Sequence, residues 1–423
     1  MLMTLLGTVF ISCIAGCCLL EPDKNKLDNY NELKSVTGEG IIISKHIQLS
    51  VNQSNEHILM VAPSGSGKSR RFIMPNIPKL NNCSLIITDP STEIEHTCKT
   101  NKKAFILNPF NDNCIGYDPV FACKSEFEVR KIARVILENG MSDSTDSHQK
   151  EWVDMGVPLL TSYMLLNYYT HKYPFNELVK RICTESIFPT KQNPNDCILK
   201  EILDSGIECA ITELEMFLQV MGAPQTLSSI RIVMNSCLQM FMDDNLQKLF
   251  NKPCIDLSMF RKEECILYIQ IPERHSTYYK PLTATFLTQF IDTILDNKGL
   301  QIYMILDEFA NIGHIPDICK LLSTARKHNL SIVATIQNLT QLHRIYGDTD
   351  GKELPELFKT TIICAGLKDS AEYISKLIGS KKTKKGTEPK MTESDIRTID
   401  KNKAIIICDN KKPVVDELNE IFI

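Results

Sequence analysis

Eight consecutive residues have the types and spacing of a phosphate-binding loop: Ala62, Pro63, Ser64, Gly65, Ser66, Gly67, Lys68 and Ser69. The two glycines permit a tight turn that points backbone N–H groups at a phosphate, and the lysine and hydroxyl that follow suit the β/γ-phosphates and Mg²⁺. The first position is usually glycine, and alanine is tolerated there if its φ angle is negative. We predict that Pro63 to Ser69 bind nucleotide and that Ser69 binds the metal.

Two adjacent carboxylates form a second candidate element. Asp307 and Glu308 directly follow the apolar run Ile302 to Leu306. A carboxylate at the end of a strand can hold Mg²⁺ through water, and a second one beside it can activate an attacking water. The alternative is that the pair caps a helix, because the sequence DEFANIG could open one. We predict that Asp307 is a metal ligand and Glu308 the catalytic base of an NTPase.

A third element combines an arginine and a glutamine in the stretch STARKHNLSIVATIQN. Gln337 ends an apolar strand, where it could sense the γ-phosphate or orient water. Arg326 lies about one strand length earlier, too far to reach its own site but able to reach that of a neighbouring subunit. The alternatives are a surface arginine on a helix and a buried glutamine with satisfied hydrogen bonds. We predict that both residues are catalytic.

These side chains need a sheet to position them, and the sequence predicts one. Apolar runs that end in polar turns recur along both halves of the chain, and strands that alternate with helical stretches indicate a parallel α/β sheet. The predicted strands are Ile58 to Ala62, Ser84 to Pro90, Lys103 to Phe110, Cys265 to Pro272, Ile302 to Phe309, Ser331 to Asn338, Thr360 to Gly366 and Ala404 to Asp409. The stretch GIIISKHIQLS before the loop reads as a short strand pair, and YKPLTATFLTQFIDTILDN as an amphipathic helix.

The middle of the chain has a different pattern of apolar residues. From about Ser125 to Leu249, apolar residues recur at helical spacing with few strand signals. We predict an all-α domain, 125–250, inserted into a nucleotide-binding domain made of 38–124 and 251–423. A polar linker, 21–37, precedes the first part.

The first 20 residues, MLMTLLGTVFISCIAGCCLL, carry no charge and are long enough to span a bilayer as a helix. Lys24, Lys26 and Lys34 follow, so the positive-inside rule places the rest of the chain in the cytoplasm. The alternatives are a cleaved secretory signal, which lacks a basic n-region, and a lipoprotein box at 14–17. We predict a single-pass protein of the inner (cytoplasmic) membrane.

Composition limits the remaining possibilities. The 423 residues carry a net charge of −4, with a pI near 6.2, so no overall basic field attracts nucleic acid. Contact with DNA would have to be local, for example at the lysine run 381–385. The 16 cysteines form no C-x-x-C pair, which indicates reduced thiols and a reducing compartment.

Several motifs occur in an order that resembles the type IV secretion coupling proteins, the TraG/TraD-type conjugation ATPases. They are APSGSGKSRRFIMPNI, SLIITDPSTEI, LNPF with GYDPV, the block ILDEFANIGHIPDICKLLSTARKHNLSIVATIQNLTQLHRIYG, and AGLKDSAEYISKLIG. The resemblance covers the chain from about Gly38 onward. Two prolines soon after the loop, Pro75 and Pro78, match a short, proline-interrupted segment of that family.

The resemblance implies a membrane-anchored, RecA-like ATPase that forms a homohexamer and has an inserted all-α domain. Such a protein uses ATP and Mg²⁺ to deliver DNA, in single-stranded form, with its relaxase, or to deliver proteins, to the components of a type IV secretion channel. By motif position, Lys68 and Ser69 would bind phosphates and Mg²⁺, Asp307 and Glu308 would form the Walker B pair, and Gln337 would be the sensor. Arg326 would be an arginine finger acting on a neighbouring subunit.

The sequence also departs from the family. Asp89-Pro90-Ser91-Thr92-Glu93 stands where the family has Asp-Pro-Lys-Gly-Glu, which removes a lysine and a glycine, and one hydrophobic N-terminal segment stands where the family generally has two. Two other functions stay open at this point. One is a motor that pumps double-stranded DNA, and the other is a receptor that binds nucleotide without productive hydrolysis.

Overall fold

The fold is that of a computed structural model, which describes residues 38–141, 147–191, 193–221, 224–367, 370–383 and 386–423. Eleven strands are present in these ranges. They are β1 Ile58–Val61, β2 Cys83–Thr88, β3 Lys103–Leu107, β4 Cys265–Ile269, β5 Gln301–Leu306, β6 Leu330–Ile336, β7 Thr360–Cys364, β8 Ser380–Thr383, β9 Gly386–Pro389, β10 Lys403–Cys408 and β11 Val414–Glu417.

The α-helices of the same ranges fall into three groups along the chain. Before β4 there are α1 Val51–Ser54, α2 Met74–Asn76, α3 Glu93–Thr97, α4 Glu126–Gly140, α5 Ser147–Thr170, α6 Phe175–Thr184, α7 Ile198–Ser205, α8 Glu208–Met221, α9 Pro224–Leu238 and α10 Asp244–Phe250. Between β4 and β7 there are α11 Ser276–Asp296, α12 Ile318–Ala325 and α13 Thr340–Leu357, the last kinked at Gly347. After β7 there are α14 Ala371–Ile378 and α15 Glu393–Arg397.

Nine strands form one sheet in the order β11-β10-β7-β1-β6-β5-β2-β4-β3. All neighbours from β7 to β3 are parallel, and β10 is antiparallel to both β7 and β11. β8 and β9 form a separate antiparallel pair. The central strands are apolar and buried at nearly every position, because helices cover both faces of a mostly parallel sheet.

Alternate side chains along a strand of the large sheet pack in different cores, one on each face of the sheet. In β1, Leu59 and Val61 belong to a core that continues without interruption into α4 to α10, whereas Ile58 and Met60 belong to a smaller core on the other face. The smaller core is closed by segment 41–49, by 72–80 and by the end of the chain around Leu418. The helical stretch between β3 and β4 therefore packs on one face only.

The longest helix of the second group differs from its predicted character. The sequence of α11 predicts an amphipathic helix, but every residue from Tyr279 to Ile291 is buried. α11 belongs to the large core and packs against α4, so it lies between the sheet and the helical stretch and has no long solvent face. Gln289 of this helix donates from Nε2 to the carbonyl of Pro119 at 2.9 Å, and the hydroxyl groups of Thr283 and Thr288 donate to the carbonyls of Tyr279 and Ala284.

The observed strands end earlier than predicted in several places. β3 stops at Leu107, because Asn108 turns its side chain back to accept from the N–H of Phe110 at 2.9 Å. The strand pair predicted before the loop is reduced to a single antiparallel bridge between Ile42 and Gln48. The pair β8–β9 and strand β11 were not predicted from the sequence. Lys381 and Lys382 lie in β8, on the surface.

The predicted localisation needs correction. Within the residues that the structure describes, no helix is both long enough and apolar enough to cross a membrane. The prediction of a single-pass inner-membrane protein is contradicted by this finding and is not retained. The predicted transmembrane segment 1–20 and the linker 21–37 lie outside the described residues.

Candidate nucleotide-binding site

Four adjacent strands bring the predicted site residues to one edge of the sheet. β1, β6, β5 and β2 are consecutive and parallel, so their carboxyl ends meet. The phosphate-binding loop follows β1, Gln337 follows β6, Asp307 and Glu308 follow β5, and Asp89 follows β2. Polar side chains that are far apart in the sequence thus share one edge. Ligands of open parallel sheets bind in the crevice at this edge.

The loop after β1 has the backbone that the two glycines predict. Gly65 and Gly67 have φ angles of 77° and 87°, in the left-handed region that favours glycine. The N–H of Ser66 donates to the carbonyl of Pro63 at 3.2 Å, which closes the turn. Ala62 precedes the turn, and its N–H donates to the carbonyl of Ile336 on the neighbouring strand at 2.8 Å. Ala62, the first residue of the loop motif, therefore continues the hydrogen bonding of β1 by one residue.

The segment after the loop is short. Lys68–Ile73 forms a π-helical turn, followed by α2, which is only three residues long. A wider π turn appears where the regular helical ladder is interrupted, often at functional sites. Pro75 lies inside α2 and Pro78 follows it, so the long helix that commonly follows such a loop is absent here.

A buried ion pair lies at the centre of the site. The Lys68 ammonium contacts the Glu308 carboxylate, and both residues are less than 10% exposed. Gln337 donates from Nε2 to the other oxygen of Glu308 at 3.2 Å, and its own backbone N–H is held by the Gln341 side chain at 2.8 Å. The glutamine is thereby aimed at the glutamate. The structure brings these three predicted residues together.

Asp307 is held by hydroxyl groups on both sides. Ser69 donates from Oγ to Asp307 Oδ2 at 3.0 Å, and Thr335 donates to Oδ1 at 2.7 Å. Thr335 also accepts from the backbone N–H of Glu308 at 3.1 Å. Thr335 was not predicted from the sequence, although it precedes Gln337 by two residues at the end of β6 and side chains at this spacing project from the same face of a sheet.

The backbone of Glu308 has an unusual conformation. Its φ and ψ angles are 52° and 57°, in the left-handed region that non-glycine residues adopt only when their surroundings hold them. Two bonds hold it here: the N–H of Glu308 donates to Thr335 Oγ1, and Thr88 Oγ1 donates to the carbonyl of Asp307 at 2.8 Å. The turn that follows is a short 3₁₀ helix, Phe309–Asn311, without a side-chain cap. The arrangement orients the carboxylate toward Lys68.

Two observations test whether these residues fit a nucleotide and Mg²⁺. The Oγ of Ser66 is buried and has no hydrogen-bond partner among the described residues, as expected for a hydroxyl that can donate to a phosphate. The oxygens of Ser69 and Asp307 are hard ligands, as Mg²⁺ prefers, and already lie 3.0 Å apart. The donor set therefore fits both groups.

The turn after β2 retains two of the family's residues in defined roles. Asp89 accepts from the N–H groups of Ile94 and Glu95 at 3.2 and 3.0 Å, at the start of α3, and burial raises the pKa of its carboxyl group. Glu93 pairs with Arg70 through Nε at 2.8 Å. Thr92, where the family has glycine, keeps a left-handed φ angle of 60°.

Arg326 is not part of this cluster. It begins the 3₁₀ turn Arg326–His328 that leads into β6 at the amino edge of the sheet, and its Nη1 contacts Oε1 of Glu56, which lies just before β1, at 2.6 Å. Its side chain is 59% exposed. The seven residues of β6, at about 3.3 Å each, separate Arg326 from Gln337 by roughly 23 Å. Within one chain the structure keeps Arg326 away from Lys68 and Glu308.

The family of the chain follows from a match over most of its length. Residues 24–405 match the family model described as type IV secretory system conjugative DNA transfer. The chain belongs to this family. The resemblance to type IV coupling proteins stated from the motifs is thereby confirmed. A comparison with curated proteins gives no match.

Solved structures with the same fold agree with this membership. The bacterial conjugative coupling protein TrwBΔN70, unbound, superposes with a TM-score of 0.75 at 16% identity, over 94% of this chain and 93% of that one. TrwB in complex with ADP and Mg²⁺ gives 0.76 at 16% identity, over 94% of both chains. VirB4 of Thermoanaerobacter pseudethanolicus gives 0.52 at 14% identity, over 90% and 96%. The predicted α/β fold with a large, mostly parallel sheet is confirmed.

Proposed function

We propose that this member of the conjugative DNA transfer family hydrolyses ATP to deliver DNA–relaxase complexes, or proteins, to a type IV secretion channel. Family membership supports the general role in conjugative transfer. ATP hydrolysis is supported by one observation, the contacts of Glu308 with both Lys68 and Gln337. The Ser69–Asp307 pair lies beside them. A module that only binds nucleotide needs no carboxylate held beside the phosphate lysine.

Each side chain has a separate task in this proposal. Lys68 exchanges the Glu308 carboxylate for a phosphate oxygen, which frees Glu308 to accept a proton from water. Gln337 keeps Glu308 in position through its 3.2 Å bond and senses the γ-phosphate. Ser69 and Asp307 hold Mg²⁺, which neutralises charge on the phosphates when bound. Pro63 to Gly67 supply backbone N–H groups.

In this proposal, hydrolysis also requires an arginine from a neighbouring subunit. Arg326 is exposed at the edge opposite its own site, so a guanidinium there can act only on the phosphates of a neighbouring copy. A closed ring of identical subunits, such as a homohexamer, supplies that contact at every interface. We propose that 38–124 and 251–423 form the nucleotide-binding part of each subunit and that 125–250 forms an inserted helical domain. DNA in single-stranded form, its relaxase and channel components are the proposed partners.

The function is tested with the variant Lys68→Gln. A glutamine keeps an N–H donor for Glu308 but removes the positive charge, so the buried carboxylate is not left without a hydrogen bond. We expect ATP hydrolysis to fall by at least about 100-fold, because a preorganised positive group at the phosphates is lost. Phosphate release is measured with purified protein, with and without single-stranded DNA.

Lys79→Gln is the matched control, since Lys79 is an exposed lysine a few residues beyond the site. It should hydrolyse ATP at the rate of the unsubstituted protein. Stimulation by single-stranded but not by double-stranded DNA supports the coupling function, whereas the reverse preference would indicate a double-stranded DNA pump. Equal rates for Lys68→Gln and Lys79→Gln would show that the site is wrongly assigned.

A further inference from the structure

The carbonyl groups of the turn after the loop need hydrogen-bond donors that the turn does not provide. In an α-helix the N–H of residue 75 would donate to the carbonyl of Arg71, four residues back. In a π-helix the N–H of residue 75 would donate to the carbonyl of Arg70, five residues back. Residue 75 is proline and has no N–H. Met74 donates to Ser69, five residues back, so the turn is in the π register. Arg70 is therefore the carbonyl that Pro75 leaves without a helical donor.

The end of the chain supplies that donor. The backbone N–H of Phe422 donates to the carbonyl of Arg70 at 3.0 Å. Three residues earlier, Asn419 donates from Nδ2 to the carbonyl of Arg71 at 2.8 Å. Two successive carbonyls, within three residues of Lys68, thus accept hydrogen bonds from a segment about 350 positions away in the sequence.

A third carbonyl of the same turn is bonded in a similar way. The Asn76 side chain donates to the carbonyl of Phe72 at 2.7 Å and also to that of Ile42 at 2.9 Å. Its own oxygen accepts from the N–H of Ile42 at 2.7 Å. Three successive carbonyls of the turn, those of Arg70, Arg71 and Phe72, therefore accept hydrogen bonds from groups other than the backbone N–H groups of the turn itself.

The segment Leu418–Phe422 is itself firmly attached. Leu418 is 5% exposed, and its N–H donates to the carbonyl of Asn402 at 2.7 Å. Phe422 packs against the smaller core, which also contains Phe72 and Ile73 of the turn. Asp416, just before the segment, is fully buried and accepts from Ser44 Oγ at 2.6 Å. A segment anchored at both ends can fix the position of what it contacts.

We propose that Asn419 and Phe422 are positioning residues of the nucleotide site: they hold the proline-interrupted turn in the conformation that places Lys68 and Ser69. The inference rests on the proposed function, because it concerns the same phosphate site. The bonds of Asn419 and Phe422 to this turn reach the carbonyls of Arg71 and Arg70 rather than Lys68 or Ser69, so their effect must pass through the turn. A residue with this role affects nucleotide affinity more than the chemical step.

The main variant is Phe422→Pro, which removes the N–H that bonds Arg70. Phe422→Ala is its control, because alanine also loses the ring but keeps the N–H. With ADP and Mg²⁺ as the probe, we expect the Kd of Phe422→Pro to exceed that of Phe422→Ala by about fivefold to tenfold, the value of one hydrogen bond. The KM for ATP should rise by the same factor, with kcat changed less than about threefold.

The decisive test is rescue. Pro75→Ala restores an N–H that can bond Arg70 from within the turn, so Phe422→Pro combined with Pro75→Ala should recover most of the lost affinity. A role limited to general stability would give a lower melting temperature without this specific recovery of nucleotide binding. Failure of the double variant to bind more tightly than Phe422→Pro would overturn the proposal.

Asn419→Leu is a second variant, in case the proline prevents folding. It removes the donor to Arg71 at similar side-chain size, and Asn101→Leu makes the same change at an exposed position in another segment. Only Asn419→Leu should weaken ADP binding and accelerate hydrogen exchange of the amides from Lys68 to Phe72. Equal affinities for the two variants would contradict the proposal. Absence of ADP binding by the unsubstituted protein would instead refute the proposed function itself.

Discussion

The predicted site residues at the two edges of the sheet differ in how their charges are held. At the carboxyl edge, Lys68, Asp307 and Glu308 are all buried and are bonded to one another or to hydroxyl groups. At the amino edge, Arg326 is largely exposed and makes one ion pair with Glu56. The buried histidine of that edge, His57, bonds only backbone groups.

This difference determines which side chains can act within a single subunit. Buried, mutually bonded charges are positioned before a ligand arrives and lie in a medium where their interactions are strong. An exposed arginine is mobile and screened, and contributes little unless a partner surface removes it from water.

Glu308→Gln should have the largest effect. An amide cannot accept the proton from water, so we expect hydrolysis to fall by about 10²- to 10⁴-fold. Binding of ATP should persist within a few-fold, because the amide can still contact Lys68 and Gln337. Stopped assays give the rate and calorimetry the affinity. Loss of ATP binding in this variant would show that Glu308 is structural rather than catalytic.

Arg326→Ala tests the exposed edge. If the guanidinium acts on a neighbouring subunit, hydrolysis should fall by up to about 10³-fold while the ATP affinity of single subunits is preserved. Mixing Arg326→Ala subunits with Lys68→Gln subunits should restore part of the activity, because some interfaces then combine intact groups from both chains.

Glu56→Gln is the control for this experiment. It disrupts the ion pair with Arg326 inside one subunit but leaves the guanidinium in place. We expect hydrolysis by Glu56→Gln to stay within about twofold of the unsubstituted protein, since exposed ion pairs contribute roughly 0–1 kcal/mol. If Glu56→Gln lowers hydrolysis as much as Arg326→Ala, the arginine acts only within its own subunit.

His57 should affect stability rather than rate. Its Nε2 bonds the carbonyl of Leu322 at 2.9 Å and its Nδ1 accepts from Ile332, so the ring is neutral, and burial lowers its pKa from 6.5 to about 4. The unfolded chain therefore binds more protons at this residue between those values. The stability that this residue contributes is complete above pH 6.5 and is lost as the pH falls toward 4, by about 3 kcal/mol in total.

Urea unfolding of the unsubstituted protein and of His57→Gln at pH 7 and pH 4.5 measures this contribution. The difference in unfolding free energy between the two proteins should shrink at pH 4.5, because glutamine does not titrate. His96→Gln, the same substitution at an exposed histidine, is measured in parallel as the surface control. Parallel curves for His57→Gln and the unsubstituted protein would show that the pKa of His57 is the same in the folded and unfolded chains.

Local patterns were sufficient to predict the sheet and the residues that end its strands. The loop after β1 and the pair Asp307–Glu308 follow buried apolar runs, and parallel strands necessarily bring such ends together. The strand ends were less predictable, because an apolar run such as Lys103 to Phe110 continues past the point where Asn108 leaves the sheet. Assigning roles to Lys68, Ser69, Asp307, Glu308, Gln337 and Arg326 remains a prediction from the sequence.

Contacts between distant segments were not predictable. Neither the residue types nor the sequence positions of Asn419 and Phe422 indicate that they bond the carbonyls of Arg71 and Arg70. These hydrogen bonds depend on the path of the folded chain. The burial of α11 was also missed, since its polar residues suggest a solvent face until the helical stretch covers them. Patterns of period 2 or 3.6 report which face is apolar and not what lies against it.

The strand order also determines when this protein can fold during its synthesis. β1, β2 and β3 are never neighbours of one another, and all their sheet partners lie at residue 265 or beyond. A ribosome adding about 5–20 residues per second therefore exposes three apolar strands for roughly 10 to 30 seconds before β4 emerges. During that interval the nascent chain presents unpaired strands, a state in which chaperone binding competes with aggregation.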